Sequence, residues 1–185
     1  MLENILEFDQ NLLLYLNNLG NTNWDAFWFA VTNKLTFIPL YIFLLYLMTN
    51  GQNRKAIFSI VFILVLMITF TDQVTNLFKD GFERLRPCAD KNISHLLRIG
   101  DCRGYGFFSG HSSNSMAAAV FTILFLRSKY RKIIYIMIPW ALFVGYSRIY
   151  IGKHFPIDVL CGWLFGAFAG YLFFNLFKFL KRRFV

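Results

Sequence analysis

Residues 157–177 form an apolar run in which Asp158 is the only charged position. Crossing the roughly 30 Å hydrocarbon core of a bilayer takes about 17–25 mostly apolar residues in a helix. This run meets that requirement, and four more segments approach it. Leu35–Met48 is the first, and it can begin as early as Trp24. Ala56–Phe78 is the second, with a polar final third. Ser112–Leu126 is short and is assigned as the third because it must connect its neighbours; Ile133–Tyr150 is the fourth. Leu2–Leu19 has a different pattern. Leu2, Ile5, Leu6, Leu12, Leu13 and Leu16 are apolar while Glu3, Glu7, Asp9 and Gln10 are polar, so an amphipathic helix lying in the interface is expected. The reading is an all-α membrane protein. It is a bundle of five transmembrane helices, or six if Leu2–Val31 spans or forms a re-entrant pair, with Lys34 marking an ambiguous boundary.

Composition agrees. Of the 185 residues, 57% are hydrophobic and 16% charged, against about 45–50% and 25% in a soluble domain. The length suits one domain over residues 1–185, with no repeats or Gly/Ser linkers. The net charge of +9 is compatible with nucleic acid, an anionic membrane surface or an anionic substrate, and the hydropathy argues against nucleic acid. The N-terminus lacks the basic region of a cleavable signal, so the first apolar span is expected to direct targeting.

Five spans place the loops on alternating sides. One side collects Arg54, Lys55, Arg127, Lys129, Arg131, Lys132, Lys178, Lys181, Arg182 and Arg183, with no acids. The positive-inside rule makes that side cytoplasmic. Residues 79–111 and 147–158 then face outward.

All the chemistry-bearing clusters fall on that outward side. Lys79 is followed by Arg86–Pro87, giving K-x6-R-P. Phe108–Ser109–Gly110–His111 stands at the start of the third span. Ser147–Arg148, His154 and Asp158 give S-R-x5-H-x3-D across the fourth and fifth spans. Lys79, Arg86 and Arg148 offer three fixed positive charges to one anion, the arginines with a fork matched to phosphate oxygens. Ser109 and Gly110 precede a helix, whose first amides and dipole favour an anion. Asp158 lies four positions after His154 with Pro156 as a first helical residue, so its carboxylate can fix one imidazole nitrogen and leave the other free to attack. His111, from another segment, can face that ring across a bound anion. Two histidines around an anion held by three cations suit phosphoryl transfer.

These clusters, in this order, resemble the signature of the type-2 phosphatidic acid phosphatase and vanadium haloperoxidase superfamily, and its short bacterial membrane lipid phosphatases in particular. The resemblance covers roughly residues 55–175. The family's middle motif reads P-S-G-H, and here Phe108 replaces the proline, which bears on loop shape more than on chemistry. The resemblance implies that Lys79, Arg86, Arg148, Ser109 and the Gly110 amide bind phosphate. It implies that His154 attacks phosphorus to give a phosphohistidine, that Asp158 orients it, and that His111 protonates the leaving oxygen and then helps activate water. Ser147 takes a supporting role. No cofactor or metal is implied, because the cationic clamp takes magnesium's place. The implied substrates are undecaprenyl diphosphate, a lipid A phosphate, phosphatidylglycerophosphate or phosphatidate. The implied setting is the bacterial inner membrane with the site on the periplasmic side; the oligomeric state is left open. The competing readings are a non-catalytic lipid-binding or transport protein and a vanadate-dependent haloperoxidase.

Several residues lie outside the motifs. Asp72 and Asn76 sit on the Lys79 face of the second span, where they orient Lys79, line the pocket entrance or form a solvated helix end. His95 reads as an ordinary loop residue. Cys88 and Cys102 share the outward loop, where an oxidising compartment permits a disulfide worth about 3 kcal/mol for a loop of about 15 residues. Cys161 reads as packing, and Gly162, Gly166 and Gly170 read as a small-residue stripe for close helix packing, inside the bundle or in a dimer.

Overall fold

The computed structural model describes residues 2–98 and 102–184. The side chains of Leu2 and Phe184 and residues 99–101 lie outside that description.

The described residues form seven α-helices: α1 (Leu2–Asn18), α2 (Thr22–Thr32), α3 (Ile38–Thr49), α4 (Arg54–Phe82), α5 (Gly110–Leu126), α6 (Ile134–Tyr150) and α7 (Pro156–Phe184). Three of them, α4, α6 with its preceding 3-10 turn, and α7, are long and apolar enough to cross a membrane, and the bent pair of α2 and the Lys34–Thr49 segment makes a fourth when counted as one span. All five apolar runs read from the sequence are helical.

Helix α5 explains why its run looked short. Its 17 residues reach about 25 Å at 1.5 Å per residue. It lies inside the bundle, with Ser113, Ala117, Ala119, Phe121 and Leu126 buried among α4, α6 and α7. The glycine stripe of α7 makes that position possible. A Cβ at Gly162 would stand 2.6 Å from the Ser109 carbonyl oxygen, at Gly166 2.2 Å from that of Ser113, and at Gly170 2.5 Å from that of Ala117. The two backbones meet along matched small-residue stripes four positions apart. The outer surface is apolar: Phe58, Val65, Tyr135, Leu164 and Phe168 point away from the bundle, as lipid-facing side chains do.

Two expectations change. The first span is broken, not continuous. Its halves, Thr22–Thr32 and Lys34–Thr49, meet at 67°. Asn33 is extended and its side chain accepts from the Leu35 amide. That cap starts a new helical segment, which places Lys34 at the bend. Leu2–Val31 is likewise two helices, not a single sixth span.

Helix α1 also departs from the simple apolar/polar division. Its inward stripe is Asp9, Leu13 and Asn17, all fully buried, whereas Ile5, Leu6 and Phe8 face outward. The cause is what waits beneath the helix. Asn17 Nδ2 donates to the Tyr150 carbonyl at 2.6 Å and the Ile149 carbonyl at 3.2 Å, at the end of α6, where the intrahelical donors run out. Asp9 meets Arg84. Polar groups are drawn inward where fixed partners await them, and apolar ones turn to the surroundings.

The loop after α4 doubles back. Glu83 adopts a left-handed conformation at φ 49°, which ends the helix and reverses the chain. Residues 84–86 then run beside 104–106: the Gly106 amide donates to the Arg84 carbonyl at 2.8 Å and the Arg86 amide to the Gly104 carbonyl at 3.3 Å. The structure pairs Cys88 with Cys102, with Cα atoms 5.5 Å apart. A thiol titration of protein purified without reductant is expected to find one reactive cysteine, Cys161. Three would refute the pairing.

Candidate active site

One end of the bundle gathers the motif residues. Ser109 caps α5. Its hydroxyl accepts from the Ser112 amide at 3.4 Å and from the Ser112 hydroxyl at 2.9 Å, so its oxygen serves the helix end. The first-turn amides of Gly110 and His111 precede the first intrahelical bond, Ser113 N–H to the Ser109 carbonyl at 3.0 Å. That is the geometry of an anion-binding helix start. The Lys79 ammonium lies over it, 3.8 Å from where a Gly110 Cβ would be. Asn76 steadies that ammonium by accepting a hydrogen bond at 3.2 Å.

Arg86 is held by its Nε donating to the Tyr105 carbonyl at 3.0 Å. Arg148 is buried in the last turn of α6. One of its terminal nitrogens donates to the Thr32 hydroxyl, and its Nε has no protein partner. Its carbonyl accepts from the amides of Lys153 at 3.0 Å and His154 at 3.3 Å, so one residue supplies a cation and folds the His154 loop. That loop turns at Gly152, whose φ of +65° suits glycine. The Gly152 carbonyl also accepts from the Cys88 amide at 3.1 Å, which ties the disulfide segment to the histidine loop.

His154 is 2% exposed. Pro156 opens α7, and Asp158, two positions on, folds back so that its Oδ2 accepts from the Phe155 amide at 3.0 Å, half of a capping box. This sets the same oxygen 3.6 Å from His154 Nδ1. The separation exceeds a hydrogen bond, and Nδ1 has no other partner; such contacts commonly tighten when substrate binds. Burial pushes the His154 imidazole down to about 4, with Arg148 and Arg86 acting in the same direction and Asp158 opposing them. Burial also lowers the pKa of Arg86 and of Lys153. His111 lies within electrostatic reach of Arg148, Lys34, His154 and Lys79, so the second imidazole and the cations share one field.

Sequence reasoning missed three contributors. Arg84 bridges two buried carboxylates, Asp9 and Asp158. Thr32 and Lys34 come from the bend of the first span, a place that periodicity does not mark. Asp72 resolves as a pocket residue: its Oδ1 accepts from Asn114 Nδ2 at 2.7 Å. A cavity of about 360 Å³ runs beneath His111, past Asp72 and Asn114, to Leu45, Met67, Trp140 and Met48. It is mostly apolar and opens between the broken first span, α4, α5 and α6. The chemical capacity of this end of the bundle is thus capture of a phosphate beside a membrane-embedded apolar pocket.

An all-helical membrane protein with this site is a phosphoryl-group enzyme by class. The family model described as "PAP2 superfamily" matches residues 60–182, and the chain belongs to that superfamily and is a phosphatase. It is 35% identical over 179 residues to the lipid A 4'-phosphatase of Bacteroides thetaiotaomicron, covering 94% of this chain and 79% of that one. It is 33% identical over 189 residues to the lipid A 4'-phosphatase of Porphyromonas gingivalis, covering 98% and 78%. Its fold matches the crystal structure of a transmembrane PAP2-type phosphatidylglycerolphosphate phosphatase from Bacillus subtilis with a TM-score of 0.76 at 21% identity, over 98% of this chain and 89% of that one.

Proposed function

We propose that this phosphatase removes the 4'-phosphate of lipid A at the outer face of the bacterial inner membrane, through a phosphohistidine on His154. Relatives of that activity match nearly the whole chain, and the site itself supports a lipid phosphate. The observation that carries the reading is His154. It is buried and backed by the Asp158 carboxylate 3.6 Å away, among Arg86, Arg148 and His111.

In the proposed sequence, the lipid phosphate sits between Lys79, Arg86 and Arg148, with the Gly110 and His111 amides at the start of α5. Asp158 holds the proton on His154 Nδ1, so Nε2 carries the free pair. Nε2 attacks phosphorus, and the bond to the lipid oxygen breaks. His111 gives its proton to that oxygen, and the dephosphorylated lipid leaves. Neutral His111 then takes a proton from water, the oxygen of which attacks the phosphohistidine. The N–P bond breaks, inorganic phosphate departs, and both histidines return to their starting states. The cations are placed before the reaction and need no reorganisation as charge shifts across the phosphoryl group. The apolar cavity below His111 suits the acyl part of the substrate.

Phosphate release from lipid A, undecaprenyl diphosphate, phosphatidylglycerophosphate and phosphatidate should be greatest with lipid A. Equal or greater turnover of another member overturns the substrate assignment. The pH profile adds a second check. His154 must be neutral to attack, and its pKa is depressed to about 4. Activity is lost below that value as the ring takes a proton, and it falls on the basic side where His111 loses the proton it must give. The acid limb of kcat/KM is expected near pH 4, well under the roughly 6.5 of an unperturbed histidine. A limb at 6.5 would contradict a desolvated nucleophile.

A further inference from the structure

Asp9 of α1 and Asp158 of α7 are both fully buried, and one guanidinium joins them. Arg84 Nη2 donates to Asp9 Oδ2 at 2.6 Å, and its Nη1 donates to Asp158 Oδ1 at 2.7 Å. The guanidinium carbon stands 4.0 Å over the Phe155 ring, which fixes its plane. The second Asp9 oxygen accepts from the Ile157 amide at 2.9 Å, one residue before Asp158. The second Asp158 oxygen lies between the Phe155 amide and His154 Nδ1. A run of fixed polar groups therefore connects the N-terminal helix to the nucleophile: Asp9, Arg84, Asp158, His154.

Arg84 differs from the phosphate-binding cations. Both of its terminal nitrogens are taken by carboxylates, whereas Lys79, Arg86 and Arg148 have no ion pair among the described residues and stay available to an anion. A carboxylate held only by the Phe155 amide could rotate about its own axis. One held by an amide and by an arginine, itself pinned by a second carboxylate, cannot.

We propose that Arg84, anchored by Asp9, is a positioning residue that holds the Asp158 carboxylate against His154, which makes the seating of helix α1 a condition for turnover. The proposal rests on His154 as the nucleophile. It explains why α1 buries an acid instead of an apolar residue at that point of its inward stripe. It also separates two tasks that the motif sequence K-x6-R-P runs together: Lys79 and Arg86 serve the phosphate, and Arg84 between them serves the catalytic carboxylate.

The test is a double-mutant cycle on the full-length protein in lipid–detergent micelles, with phosphate release as the readout. Arg84→Ala is expected to lower kcat about 100-fold, the cost of a small misplacement of a reacting group, with KM within about threefold. In an Asp158→Asn background the same change is expected to cost under about threefold, because the residue it acts through is already gone. Asp9→Asn should follow Arg84→Ala at smaller amplitude. Millimolar guanidinium should restore part of the kcat of Arg84→Ala and none of that of Asp158→Asn. Equal costs in both backgrounds, or a raised KM at unchanged kcat, would overturn the positioning role. If Arg84→Ala does not fold, Arg84→Lys carries the same cycle, since it keeps the charge but reaches only one carboxylate. A separate His154→Ala control that retains full activity would sink the nucleophile assignment instead, which keeps the two failures apart.

Discussion

Replacing His154 with alanine is expected to lower phosphate release by about 10,000-fold or more, since the proposed mechanism then loses its covalent nucleophile and keeps only binding and electrostatic stabilisation. The rest of the site is built from separate elements. Lys79 is on α4, Arg86 on the doubled-back loop, and Arg148 on α6, so the cationic clamp persists without the ring. Lipid should still bind, with KM changed far less than kcat. The buried ring also packs, so His154→Asn should accompany the alanine variant to separate lost chemistry from a lost contact. Cys161→Ala is the matched control. It lies on α7 within one turn of Asp158 but outside the site, and it should turn over at the wild-type rate. Near wild-type release by both His154 variants would move the chemistry elsewhere.

Replacing Gly166 with alanine is expected to cost the largest amount of stability of any single methyl group added to the protein. The new Cβ would stand 2.2 Å from the Ser113 carbonyl oxygen and 3.0 Å from the Ser113 Cα. Both belong to backbone, which cannot swing away as a side-chain tip would. Helices α5 and α7 would have to separate, at about 3 kcal/mol, and the separation would pass to Ser109 and Asp158, whose backbones are joined by the Ser109 amide donating to the Asp158 carbonyl at 3.0 Å. Gly81 offers the contrast. A Cβ there meets nothing within 4 Å, so Gly81→Ala in helix α4 should be neutral or slightly stabilising through helix propensity. Thermal unfolding in detergent should lower the midpoint for the Gly166 variant and not for the Gly81 variant. The opposite order would contradict the packing described.

The helices were legible because lipid-facing runs of about twenty apolar residues have few alternative readings, and α7 and α4 fell where hydropathy put them. The motif residues were legible because their spacing is fixed by local structure: Pro156 and Asp158 by the first turn of α7, Ser109 and Gly110 by the start of α5. What hydropathy could not give was direction around a helix at a polar contact. Asp9 looked like a solvent-facing acid because its partner, Arg84, is 75 positions away. The bend at Asn33 was hidden for a similar reason. A side-chain cap and a tilt of 67° leave the apolar content of the run unchanged, yet they deliver Thr32 to Arg148 and Lys34 to the field of His111. Asp72 and Asn76 shared one face in the sequence, and only the placement of Asn114 and Lys79 divided them into a pocket residue and a clamp residue.

The most direct measurement is a rapid-quench reaction with lipid A labelled with radioactive phosphorus at the 4'-phosphate, stopped in alkali and digested. The label should appear first on the peptide carrying His154, with the acid lability and alkali stability of a phosphohistidine, and then pass to inorganic phosphate. Label reaching inorganic phosphate with none at any time on His154 would contradict the covalent mechanism proposed here.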